Sequence, residues 1–237
     1  GTYLGTGWYR VLGILLGITI MGVVDYLLWP AKSIAMARIR ILQTFERLRD
    51  DLRKRPNESD LNRDISVERL RMMDSNLKDA AYFLDFARME PGSGQPESAH
   101  EVNEMAALIQ AVTRFSKIIE SRHQLMLARD RQIQQGILDP IQIALKAAYA
   151  DENEAIVRAL EKGTAVQGES RLEDELRRLR RALEALEAFQ ALPEVERRYL
   201  ETQIDLEQKN IAALLEIRRL IDEAALKPDF ALAASRL

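Results

Sequence analysis

Two hydropathy patterns divide the chain. From Val11 to Trp29 nearly every position is apolar, and Asp25 is the one ionisable residue in nineteen. After Pro30 apolar residues recur at three- and four-residue steps among charges, the signature of amphipathic helices. The step pattern predicts a helix over 31–55 (Ile34, Met36, Ile39, Ile41, Leu42, Phe45, Leu48), ended by "RPNESD". A second follows over about 67–89, with Leu70, Met73, Leu77, Ala81, Leu84 and Phe86 offered to its apolar face.

The Pro/Gly/Ser segment "EPGSGQPES" is the clearest loop. Ser98 and Glu101 then predict a capping box heading a helix that runs to about 135 and presents Val102, Ala106, Ile109, Val112, Phe115, Ile118 and Ile119. Asp139-Pro140 reads as a helix start, with a short turn expected after Tyr149 and a further helical piece ending at Gly163. Ser170 and Glu173 repeat the capping box. Leu172, Leu176, Leu179, Leu183, Leu186 and Phe189 form a seam, and Leu200, Ile204, Ile211, Leu214 and Ile221 form a facing stripe beyond Leu192-Pro193. Together they predict an antiparallel, coiled-coil-like hairpin at the C-terminal end. No stretch alternates at period two, so the expected fold class is all-α.

A nineteen-residue helix spans about 28 Å, close to the thickness of a bilayer's hydrocarbon. Eleven of the nineteen residues are Val, Leu or Ile, and their summed preference for hydrocarbon outweighs Asp25. Trp8 and Tyr9 before the run, and Tyr26 and Trp29 at its end, suit the two headgroup levels. The segment 1–30 is therefore expected to be a transmembrane helix and 31–237 a helical domain. Lys32, Arg38, Arg40, Arg47, Arg49, Arg53, Lys54 and Arg55 follow the span, against Arg10 before it, which places the helical domain in the cytoplasm. A Gly at position 1 and an apolar run beginning almost at once read as a piece of a longer protein.

Within the span Gly13 and Gly17 make a GxxxG pair, with Gly22 further on, so a second helix can approach closely. Asp25 either relays protons or substrate, or reaches interfacial water; Arg10 either meets an anion or snorkels to lipid headgroups. The net charge of −3 excludes a general nucleic-acid binder, and the absence of cysteine excludes disulfides and Cys-based zinc sites. His100 and His123 have no ligand-type partners at metal spacing. No phosphate loop, dinucleotide fingerprint, zinc-protease motif or nucleophile elbow occurs. No enzyme activity, metal or cofactor is expected. "RRLRR" at 177–181 lies among Glu173, Glu175, Glu184 and Glu187 and reads as a solvated helix face.

The stretch "YRVLGILLGITIMGVVDYLLWP" resembles the closing transmembrane helix of the fusaric-acid-resistance family of inner-membrane exporters. Arg10, Gly13 and Gly17 match its Arg-x-x-Gly-x-x-x-Gly core, and Trp29-Pro30 its ending, whereas Asp25 matches no position of the pattern. The resemblance covers about thirty residues. It implies efflux of aromatic carboxylic acids or drugs through a bundle of which this is the last helix, followed by a cytoplasmic helical domain serving assembly or gating. It also implies a homo-oligomer working with a periplasmic adaptor and an outer-membrane channel, in contact with membrane lipid and not with nucleic acid. A single-pass signalling or scaffold protein dimerising through Leu172 to Leu186 is the alternative.

Overall fold

A computed structural model describes residues 11–20, 33–54, 63–89, 96–127, 139–185 and 187–225. Every regular element among them is an α-helix, as the hydropathy steps predict. Residues 11–20 form α1, and then come α2 (Ser33–Lys54), α3 (Arg63–Met89), α4 (Pro96–Leu127), α5 (Asp139–Lys162), α6 (Leu172–Glu184), α7 (Glu187–Gln190) and α8 (Glu194–Ala225). Among the described residues no helix is long and apolar enough to cross a membrane. The described part of the expected span is residues 11–20, whose side chains are exposed all around the helix.

Helices α2 to α8 share one apolar core. Helix α2 lies at its centre, packing on α3, α4 and α5, while α4 bridges α3 and α8. Phe45 of α2 and Phe115 of α4, both almost fully enclosed, stack with ring centroids 6.2 Å apart. Ile41, Val112, Ile156, Leu160, Leu214 and Ile217 close the core around them. Removing this much apolar surface from water is the main force holding the bundle.

Polar contacts fix how the helices run. Arg40 pairs with Asp79 at 3.4 Å, the Asn76 amide donates to the Thr44 hydroxyl at 3.3 Å, and Arg47 reaches the Met72 thioether. Each step along α2 is matched by a step backwards along α3, so the two are antiparallel. Helix α8 is antiparallel to α4, since Arg122 pairs with Glu207 and the Arg114 charge acts on Glu216, and it runs the same way as α5, as Tyr149–Glu207 and Glu152–Arg218 indicate. Parallel neighbours need a crossover, which α6 supplies by running back between them.

Several local expectations are corrected. Helix α4 starts at Pro96, so Ser98 lies inside the first turn and not at the cap; proline fits a first helical position, where its missing N–H is not needed. Helix α5 runs unbroken from Asp139 to Lys162, with no turn after Tyr149. The polar run read as a turn, Asp151 to Glu154, places Glu152 and Asn153 in the interior, where both have partners. At α6 the cap is Arg171, one residue later than Ser170, with no side-chain cap bond; the Ser170 hydroxyl accepts only a long 3.5 Å bond from the Leu172 N–H. Glu173, Asp174 and Glu175 in the first turn offset the missing cap by facing the helix's positive end.

The expected C-terminal hairpin is not the main contact α8 makes. Helix α6 has 13 residues against 32 in α8, and α8 packs most extensively on α4. The seam residues Leu172, Leu179 and Leu183 are buried within this chain, between α5 and α8. The chain turns at Ala185, leaving Phe189 buried on the separate short helix α7. On α3, the buried face is Met73, Leu77, Ala80, Leu84 and Ala87, whereas Ala81 and Phe86, expected on it, are exposed. The face is rotated because close approach of α2 favours the small side chains Ala80 and Ala87.

Candidate functional site

The chemistry-bearing side chains converge where α2, α5 and α8 meet. Helix α5 ends in a Schellman motif: Gly163 takes φ +65°, and the Thr164 N–H donates 3.1 Å to the Ala159 carbonyl. The Leu160 carbonyl in the same last turn accepts a 2.6 Å bond from the Arg38 guanidinium of α2. A cation at the negative end of a helix is favourably placed. Arg38 is only 5% exposed, and loss of hydration lowers its pKa to about 10. The helix end is thus closed by a residue 122 positions away in sequence.

The loop that follows is fastened to α8. The Val166 N–H donates 2.6 Å to the Asp222 carboxylate, and Val166 itself is buried. Arg218 donates 2.9 Å to Glu152 of α5, 3.2 Å to the Val166 carbonyl, and also to the Gly168 carbonyl. Gly168 has φ +87°, a conformation that side-chain-bearing residues rarely adopt. Glu152 is 3% exposed, so Arg218 neutralises a carboxylate that would otherwise be stranded in the interior. Ala148, Glu152, Gln167 and Arg218 line a cleft of about 170 Å³, and the Arg171–Asp151 ion pair stands at its edge.

One helical turn earlier on α5 a second polar cluster is buried. The Tyr149 hydroxyl donates 2.9 Å to Glu207 and accepts 3.0 Å from the Asn210 amide, while Arg122 of α4 pairs with Glu207 at 2.8 Å. Burial, and then the neighbouring Glu207 charge, push the Tyr149 phenol well above its ordinary value. The Asn153 amide donates 2.7 Å to the Tyr149 carbonyl. These bonds tie α4, α5 and α8 together at one level.

Of the residues the sequence singled out, Gly13 and Gly17 lie one turn apart on α1, and a methyl group added to either would meet nothing within 4 Å. That face is open to a neighbouring helix. Arg10, Gly22 and Asp25 lie outside the described residues. The basic run after the span is partly turned inward: Arg38 is buried, Arg40 pairs with Asp79, and Arg49 pairs with Asp50 and Glu154. Asp151 and Glu152, which fall where a turn is expected after Tyr149, are part of the junction. His100 pairs with Glu104 on its own helix at 3.3 Å. Among the described residues no three His, Cys, Asp or Glu side chains are grouped to hold a metal ion. The exposed arginines of α6 do pair as a solvated face, Arg177 with Asp174 and Arg178 with Glu175.

The charged groups at this junction are therefore committed to one another and to backbone carbonyls. What such an arrangement does is mechanical: it locks the start of α2 to the end of α5, and that end to α8. No family model matches the chain, and neither a curated protein nor a solved structure matches it.

Proposed function

We propose that this chain belongs to an inner-membrane efflux transporter for aromatic carboxylic acids or drugs, with α1 part of the closing membrane helix and α2–α8 a cytoplasmic assembly or gating body. The observation that carries this reading is the contrast between α1 and the rest. Leu12, Ile14, Leu15, Leu16 and Ile18 are all about half or more exposed around one short helix, whereas α2–α8 bury their apolar faces in a common core. A helix that is apolar all round needs an apolar surrounding, and hydrocarbon is the surrounding that the length and aromatic flanks of the sequence run 11–29 suit. Supporting it are the resemblance of Arg10, Gly13, Gly17 and Trp29-Pro30 to the exporter pattern and the open Gly13/Gly17 face, which suits a neighbouring membrane helix.

The junction of Arg38, Leu160, Val166 and Arg218 gives the gating role a physical basis. Helix α2 begins four residues after Trp29, so a displacement of the span acts directly on the turn that Arg38 caps. The signalling alternative predicts a dimer through Leu172 to Leu186; of that seam Leu172, Leu179 and Leu183 are buried within the chain, which favours the exporter reading.

The test is the topology of the full-length protein by reporter fusions, followed by efflux assays. Several spans preceding Arg10, with position 237 in the cytoplasm, are expected, together with efflux reduced at least about tenfold in Asp25→Asn or Arg10→Ala at unchanged protein level. A lone span overturns the proposal.

A further inference from the structure

Helix α3 carries an exposed apolar stripe that the fold leaves uncovered. Tyr82 is 60% exposed, Phe86 38% and Met89 79%, and their spacing places all three on one face near the end of the helix. The Tyr82 and Phe86 rings meet edge to face, with centroids 4.7 Å apart. On the opposite side α3 buries Leu84 and Ala87.

The register of α2 against α3 locates this stripe. Arg47 meets Met72, Thr44 meets Asn76 and Arg40 meets Asp79. Continued by the same steps, Ala37 is level with Tyr82 along the helix axis, and Ser33, the first residue of α2, with Phe86. Met89, one turn beyond Phe86, lies at the same end of the bundle as Ser33. The apolar run ends at Trp29, four residues before Ser33, and four residues reach at most about 14 Å. The uncovered stripe thus lies at the end of the bundle where the apolar run enters it.

We infer that Tyr82, Phe86 and Met89 dock the helical domain onto the lipid surface, their side chains seated at the boundary of headgroups and acyl chains. This rests on the reading of residues 11–29 as a membrane span. Tyr and Phe suit that level because it offers apolar contact and water together, and Met adapts to an irregular surrounding. A second protein is the weaker occupant: three partly exposed side chains fall far short of the about 800 Å² per partner that a stable protein interface buries. The docked stripe gives α3 a second anchor beside the span, so the domain is held at a defined angle to the membrane.

The chain has no cysteine, so single-cysteine variants each carry one label. Leu15→Cys, Arg71→Cys, Phe86→Cys and Met89→Cys, each in the full chain, are coupled to a polarity-sensitive fluorophore. The labelled chains are reconstituted into phosphatidylethanolamine–phosphatidylglycerol vesicles with and without nitroxide-bearing lipids. Blue-shifted, lipid-quenched emission is expected at positions 15, 86 and 89. Aqueous, unquenched emission is expected at position 71, which is exposed on the same helix but far from the span. Lipid quenching at 15 with water-like emission at 86 and 89 overturns the docking surface and leaves the membrane reading standing. Water-like emission at 15 as well overturns both. A blue shift at 89 without lipid quenching overturns lipid docking in favour of protein covering the stripe.

Discussion

Tyr149 shows what one buried polar side chain contributes and how it is exposed to test. Its hydroxyl joins Glu207 and Asn210, so Tyr149→Phe takes this partner from the buried Asn210 amide and from one Glu207 oxygen, the other keeping Arg122, and is expected to cost about 1–3 kcal/mol, read from urea unfolding. The phenol also makes stability depend on alkaline pH. Its folded pKa lies above the unfolded value of 10.0, so the unfolded chain releases this proton first. The stabilisation is complete below about pH 10 and is lost as pH rises through the folded value. Arg38 acts in the opposite sense, because its lowered pKa makes burial less costly once the guanidinium loses its proton. The difference between wild type and Tyr149→Phe isolates the phenol: it is expected to be largest near neutral pH and to shrink above about pH 10. A gap that does not change with pH contradicts the assignment.

At the scale of elements, the end of α5 is set by glycine conformation and by partners from other helices. Gly163 at φ +65° allows the Schellman turn, and a β-carbon there meets the backbone; Gly163→Ala is expected to destabilise by about 1–2 kcal/mol, seen as a lower urea midpoint with an unchanged slope. The loop beyond it depends on the Glu152–Arg218 pair. Arg218→Ala leaves Glu152 as an uncompensated interior charge and is expected to cost about 3–5 kcal/mol. Adding Glu152→Leu should recover much of that loss, so a double-mutant cycle gives a coupling of well over about 1 kcal/mol. Additive effects contradict the burial and pairing described here. The acids of the α5 run look like turn formers in sequence because Asp and Asn compete for backbone bonds. In the fold the helix continues through them: Asn153 donates to the Tyr149 carbonyl one turn back, and Glu152 finds in Arg218 a partner that no local pattern reveals.

Across the whole molecule, hydrophobic periodicity marked the helices, and their positions in chain order follow from breaks at Pro and Gly. The stripe Leu200, Ile204, Ile211, Leu214 and Ile221 is buried as its spacing predicts, because a period of three to four residues places those side chains on one side of any α-helix. The contrast between the apolar run 11–29 and the amphipathic remainder is likewise a property of composition, legible without coordinates. Which helices share faces is not. Helix α8 lies on α4 and α6 is shared with α5, an outcome set by summed side-chain volumes over all the faces at once and not by any one seam. The buried polar residues were the least legible of all. Arg38, Glu152 and Glu207 carry no sequence mark of burial, because their partners lie at Leu160, Arg218, Tyr149 and Arg122, all 58 to 122 positions away. The sequence alone determined helix formation, the segregation of its apolar faces and the separate character of residues 11–29, since these depend on near neighbours. Only the tertiary structure decided that Arg38 would close α5 and that Tyr82, Phe86 and Met89 would stay uncovered, because both depend on which distant surfaces remain to be filled once the core has closed.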